Sequence, residues 1–255
     1  MRTFLDSVRD TLGKARHVVV FTGAGMSAES GIPTFRDALT GLWSQYEAER
    51  LATPEAFRRD PALVWGWYEW RRLRALQAQP HEGHVALAAI ERHVGRMTLI
   101  TQNVDDLHER AGSREVLHLH GSLHAPRCSR CGQAHALSTV WPGEPEGGRR
   151  LAPPACVACA APVRPGVVWF GESLPADVLQ RAAAAADDCD LWITVGTSGL
   201  VYPAAELPQR AARAGAQLVQ INPQATPLDD WYAHRLRSSA ATVLPQIAAL
   251  LHEPG

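Results

Sequence analysis

Short apolar, β-branched runs alternate with longer amphipathic stretches along the chain. Val18-Val19-Val20-Phe21 is the first, and its unbroken apolar character predicts a strand buried on both faces of a parallel sheet. Met97 to Thr101, Leu191 to Val195 and Leu218 to Ile221 repeat the signal and Glu115 to His120 alternates like a short strand, placing strands near 17–22, 97–101, 116–120, 191–195 and 218–221. Between them the period changes. Phe4, Leu5, Val8, Leu12 and Ala15 recur at helical spacing, and 42–78 reads helical with breaks at Pro54 and Pro61. Further helices are predicted over 83–93, around the alanine run 182–186, and over 244–252. Alternating strands and helices predict an α/β fold with a doubly wound parallel sheet.

Composition narrows the class. With 255 residues, 46% hydrophobic and 20% charged, the chain can bury one good core or a large and a small lobe. A net charge of -1 and a pI near 6.8 argue against nucleic acid or an anionic membrane surface as partner. No apolar run reaches the roughly 18 residues that cross a bilayer, and Asp6, Arg9 and Asp10 interrupt the first stretch. A cytoplasmic location is the expectation, and the five cysteines then read as thiols or metal ligands and not as disulfides.

Cys128-x-x-Cys131 and Cys156-x-x-Cys159 are two knuckles with the spacing of a tetrahedral thiolate zinc site. Four protein ligands leave no open coordination position, so the metal is expected to be structural. Cys189 stands apart as a buried thiol.

Polar candidates gather at the ends of the strands. Gly23-x-Gly25-x-x-Ala28 follows the first, as in glycine turns that bring backbone amides to a pyrophosphate, although an empty βα turn has the same pattern. The second strand of an ordinary dinucleotide fold, ending in an acidic residue about 20 positions on, does not follow; instead Ser30 to Asp37 reads as a proline-stiffened loop carrying Phe35 and Arg36. Gln102-Asn103-Val104-Asp105-Asp106 ends the second strand, where Asp105 or Asp106 would equally cap the next helix. His118 and His120 fall on one face of the third, and spacing does not choose between them as a proton carrier. Gly196-Thr197-Ser198 and Asn222-Pro223 end the last two. In the helical stretch, Tyr68 precedes Arg71 and Arg72 by three and four residues, so either arginine can share its face. A phenol beside a guanidinium suits a carboxylate.

GAGMSAESGIPTFRD, residues 23–37, closely resembles the nucleotide-binding signature of the sirtuins, the NAD-consuming protein-lysine deacylases. Gln102-Asn-x-Asp105, His120-Gly121 and the four cysteines extend the resemblance over most of the chain. It implies a Rossmann-like NAD-binding lobe made of 1–41, 81–122 and 164–255. A smaller lobe would consist of a helical insertion, 42–80, and a zinc module, 123–163. It selects His120 as general base and gives Asn103 the ribose or a water and Asp105 the nicotinamide carboxamide. Gly23, Ala24, Gly25, Ser27, Ile32, Phe35, Arg36, Gln102, Gly196, Thr197, Ser198, Asn222 and Ala240 would complete the NAD site. Phe35 would shield the intermediate. Val168, Phe170 and Gly171 would lie on a strand, within 163–172, that pairs with the substrate backbone. Tyr68-x-x-Arg71 resembles the motif of the class III branch and picks Arg71 over Arg72. With it comes a preference for succinyl- and malonyl-lysine over acetyl-lysine, since Tyr68 and Arg71 would otherwise be an unpaired polar pair. The implied cofactors are NAD, consumed as co-substrate, and one structural zinc. The implied partners are acylated lysines of proteins, without nucleic acid or membrane. A monomer is the default, and the same scaffold would also serve general deacetylation or mono-ADP-ribosyl transfer.

Overall fold

The computed structural model describes residues 2–34, 41–137 and 147–251. Its strands are β1 (Val18–Thr22), β2 (Met97–Thr101), β3 (Val116–His118), β4 (Arg127–Cys128), β5 (Val163–Arg164), β6 (Leu191–Val195), β7 (Gln217–Ile221) and β8 (His234–Leu236). β4 and β5 pair antiparallel. The others form one sheet in the order β3-β2-β1-β6-β7-β8, with every neighbouring pair parallel. This is a Rossmann-like doubly wound sheet. The chain enters at β1, fills outward to β3, and returns to the other side of β1 to fill outward to β8. The reversal between β1 and β6 is the switch point at which such sheets open a crevice.

Side-chain alternation explains why helices cover both faces. Val18 and Val20 point into one core with Val8 and Leu12 of the helix Arg2–Lys14, Leu87 and Ile90 of Glu82–His93, and Val243, Leu244 and Ile247 of Ala240–Leu250. Val19 and Phe21 point the other way, onto Trp192, the alanines 182, 185 and 186 of Ala176–Asp188, and Leu207 and Ala211 of Leu207–Arg213. A third core holds Trp43, Phe57, Val64, Trp67 and Tyr68 together with Leu123, Val167 and Trp169.

Strand register sets the level at which the loops leave the sheet. Thr22 is opposite Thr101 on one side and Val195 on the other. The next residue of each strand continues the ladder: Gln102 N–H donates to Thr22 O at 2.9 Å, Gly23 N–H to Val195 O at 3.0 Å and Gly196 N–H to Ile221 O at 3.0 Å. The three loops therefore open side by side.

Four expectations are corrected. The third strand stops at His118 and not at 120. Only Val163–Arg164 of 163–172 is strand, and it pairs with β4; Val167 makes an isolated bridge to Gly121, whose φ of +73° leads the chain into that turn. Pro54 and Pro61 start helices and do not merely break one: they begin Pro54–Arg59 and Pro61–Gln77. Thr53 and Asp60 cap them, accepting from Ala56 N–H and Leu63 N–H, both at 3.0 Å. The last helix starts at Ala240 and runs through Pro245 to Leu250.

Candidate active site

A cavity of about 850 Å³ opens at the switch point and reaches across to the helix Pro61–Gln77. Gly23, Ala24, Gly25, Ser27 and Ile32 line it from the segment after β1, Gln102, Asn103 and Asp105 from the loop after β2, and His120 from the turn after β3. Gly196, Thr197, Ser198, Asn222 and Ala240 line it from the other side of β1; Tyr68, Arg71, Val168, Phe170 and Gly171 close its far end. Phe35 and Arg36 lie outside the described residues.

The glycines have a reason independent of any ligand. A Cβ at Gly23 would sit 2.9 Å from Gly196 O and one at Gly25 2.8 Å from the same atom. The loops of β1 and β6 thus touch backbone to backbone, and Gly25 N–H donates to Gly196 O at 2.8 Å.

Beside them runs a buried polar chain. Asn103 Nδ2 donates to Ser27 Oγ at 3.0 Å, and Ser27 Oγ donates to Asp105 Oδ2 at 3.0 Å. The other Asp105 oxygen accepts from Leu107 N–H at 3.2 Å, so the carboxylate also caps the following helix. Burial raises the Asp105 pKa above the usual range despite these donors. Gln102 Nε2 donates to Thr197 Oγ1 at 2.8 Å, and Asn222 Nδ2 to Thr197 O at 3.2 Å, tying the ends of β2, β6 and β7 together.

The two histidines separate clearly. His120 Nδ1 lies 2.9 Å from Gln102 O. A carbonyl only accepts, so Nδ1 carries the proton and Nε2 keeps its lone pair. Nε2 has no hydrogen-bond partner among the described residues, and burial lowers the His120 pKa. The ring is a neutral base facing the cavity. His118 instead places Nε2 2.6 Å from Glu109 Oε1 and Nδ1 3.1 Å from Asn103 O. Burial opposes its charge, but the Glu109 carboxylate outweighs it and the His118 pKa rises. His118 supports the wall and does not line the cavity.

The arginines separate as well. Arg72 is buried in a two-pronged pair with Glu69, at 3.1 and 2.8 Å. Arg71 lines the cavity with its guanidinium carbon 5.3 Å from the Tyr68 ring centroid. Tyr68 is not unpaired: its hydroxyl accepts from Trp169 Nε1 at 3.1 Å.

The Sir2 family model matches residues 23–203. The chain belongs to the Sir2 family. The NAD-dependent protein deacylase of Methylococcus capsulatus is 58% identical to it over 248 residues, covering 97% of each chain. Deacylase 1 of Pseudomonas aeruginosa is 57% identical over 241 residues, covering 94% of this chain and 96% of the relative. Among solved structures, a Sir2 homologue in complex with NAD superposes with a TM-score of 0.89 at 44% identity, over 96% of this chain and 93% of the other. A Sir2 enzyme with a deacetylated p53 peptide and 3′-O-acetyl ADP-ribose gives 0.82 at 32% identity, over 96% and 97%.

In this Sir2 chain the four cysteines fit a structural zinc. Their sulfurs all lie within 4.8 Å of one another, with Cys128 and Cys159 at 3.4 Å and Cys131 at 3.7 Å from both Cys156 and Cys159. Zn–S bonds of about 2.3 Å in a tetrahedron require sulfurs roughly 3.8 Å apart. β4 and β5 bring the knuckles together, through Cys128 opposite Val163. Stripping the metal with a strong chelator is expected to lower Tm by roughly 5–10 °C, with about one zinc per chain released. Elemental analysis beside a thermal melt checks this.

Sequence reasoning missed several parts of the Sir2 site. β8 supports Asn222, whose N–H donates to Leu236 O at 3.1 Å. His81 pins the glycine loop by donating Nε2–H to Met26 O at 2.7 Å, and its signal was present as the residue preceding the helix Glu82–His93. Behind it, the His84 ring lies 4.2 Å from that of His81 and 5.0 Å from that of His108. Burial drives the pKa of His84 down to about 2 and that of His108 to about 3.

Those two rings make the Sir2 fold acid-sensitive. Unfolded, both take up protons near pH 6.5; folded, both refuse them. Their stabilisation is therefore complete above pH 6.5 and is lost as pH falls below it, at up to about 1.4 kcal/mol per pH unit for each ring. His108→Gln is expected to shrink the stability lost between pH 7.5 and 5.5 by about 1.4 kcal/mol, read from denaturant melts at both values.

Proposed function

We propose that the chain is an NAD-dependent protein-lysine deacylase that prefers succinyl- and malonyl-lysine to acetyl-lysine. The observation that carries this is the sharing of one cavity by a neutral His120 and the Arg71–Tyr68 pair. The names of its relatives, NAD-dependent protein deacylases, support the broader activity.

In this reading the sheet lobe holds NAD, and the helices of 42–80 with the zinc module of 123–163 close over the acyl chain. Gly23 and Gly25, whose own N–H groups are committed to Val195 O and Gly196 O, hold the β1 and β6 loops together beside the phosphates, while Ala24 N–H and the hydroxyls of Thr197 and Ser198 offer donors to them. Asn222 and Ala240 meet the adenosine end. Asn103 orients the nicotinamide ribose or a water, and Asp105, held by Ser27, takes the carboxamide. NAD supplies an anomeric carbon with nicotinamide as leaving group. The acyl-lysine amide oxygen attacks that carbon, and His120 Nε2 takes a proton from a ribose hydroxyl, which then attacks the acyl carbon. Water enters, lysine leaves, and the acyl group stays on ADP-ribose. Holding amide and ribose together supplies much of the acceleration. Arg71 and Tyr68 receive the carboxylate of the acyl group, and Val168, Phe170 and Gly171 offer the peptide an edge of backbone.

The test is a competition between succinyl- and acetyl-lysine forms of one peptide, with NAD, followed by mass. Faster loss of the succinyl group supports the reading. Equal or faster loss of acetyl overturns the acidic preference and leaves general deacetylation.

A further inference from the structure

Trp169 is buried between Phe57 and Tyr68, ring centroids 5.3 and 6.3 Å away, where it also lines the cavity. Its indole N–H donates to the Tyr68 hydroxyl oxygen at 3.1 Å. The same oxygen also accepts from the Arg71 guanidinium, and a phenol whose oxygen accepts in this way has its own proton left to give. Burial, the chief cause, pushes the Tyr68 pKa up to about 12, so that proton is present throughout the neutral range.

The indole is itself held in place. The Trp169 backbone N–H donates to Glu172 Oε2 at 2.9 Å, and Arg164 grips both Glu172 oxygens at 2.5 and 2.8 Å. The Arg164 guanidinium carbon stacks 3.6 Å over the indole ring, and Arg164 Nη2 donates to Val167 O at 3.0 Å. Arg164 belongs to β5 and so starts from the cysteine module. The Arg164 stack on the ring and the Glu172 bond to its backbone thus fix an indole whose single polar atom points at Tyr68.

We propose that Trp169 is a specificity-setting positioning residue, whose indole N–H occupies the acceptor side of Tyr68 and commits the Tyr68 hydroxyl to donating toward the carboxylate of an acidic acyl group. This rests on the acidic-acyl reading above. An acetyl group has no carboxylate to receive that proton, so the indole N–H acts on the choice between acyl groups.

Trp169→Phe keeps an aromatic ring and removes the N–H. The expected result is a fall of about tenfold in the ratio of succinyl to acetyl kcat/KM, carried mainly by the succinyl KM. Tyr68→Phe lowers the same ratio, and the double variant falls no further than Tyr68→Phe alone, because both changes remove one relay. Arg164→Lys, which keeps a charge for Glu172 but loses the planar stack, is a second variant should Trp169→Phe melt below the assay temperature; it shifts the ratio in the same direction. An unchanged ratio, an equal fall for both peptides, or effects that multiply in the double variant overturn the inference. A native protein with no succinyl preference overturns the acidic-acyl reading and this with it. A native preference that survives Trp169→Phe and Arg164→Lys overturns this inference alone.

Discussion

His120→Ala is expected to lower kcat for deacylation by about 10²–10⁴-fold while changing Tm little. The magnitude follows from what His120 supplies. Its Nδ1–H is committed to Gln102 O, which fixes the tautomer and leaves Nε2 as an acceptor on the cavity side. Burial keeps the ring neutral by lowering its pKa, so the base is ready at pH 7 without first losing a proton. On the proposed mechanism, removing it deletes proton transfer and leaves intact the binding groups after β1, β2 and β6, so KM for NAD should hold within a few fold. His118→Ala should behave differently. His118 is tied to Glu109 and Asn103, and its loss should act on stability more than on kcat. Steady-state kinetics and melts of both variants check the contrast. Equal kcat losses would show that the base has been misassigned.

Arg71→Met is expected to reverse acyl selectivity, cutting succinyl kcat/KM by about 10²-fold or more. The cation sits in the cavity wall, where burial pulls its pKa down from the ordinary arginine value. A carboxylate placed there returns the interactions that water would have given. Met keeps the length and the apolar stem, so an acetyl group still has a wall to pack on. Arg72 is the natural control. Its guanidinium is held by Glu69 with both side chains buried, so Arg72→Met leaves a carboxylate without a partner and should destabilise the fold by about 3–5 kcal/mol. The two neighbours therefore separate a binding phenotype from a folding one. Peptide kinetics beside denaturant melts read both.

What could be read from the chain, and what could not, divides along physical lines. The four inner strands announce themselves because a parallel sheet covered on both faces needs nearly unbroken apolar residues, and β3, at one edge, shows instead through the alternation of 115–120. β8 does not, since His234-Arg235-Leu236 sits at an edge with half its face in water. The loops after each strand were legible through glycine and small polar residues, and the common level at which they open comes from the register. His118 and His120 look alike by spacing because the discriminating partners, Glu109 and Gln102 O, are set by tertiary placement. Arg71 and Arg72 were separable in principle. Glu69 precedes Arg72 by three residues, a helical ion-pair spacing. Trp169 read as one more apolar residue of a strand, and only the folded chain brings its N–H to Tyr68, 101 positions away.

The most direct measurement is the product balance of one incubation. Succinyl-lysine peptide and NAD are mixed with the protein, and nicotinamide, free-lysine peptide and succinyl-ADP-ribose are quantified by mass. The three are expected in equal amounts, and none without NAD. Free succinate released without consumption of NAD, or ADP-ribose left attached to the peptide, would contradict it.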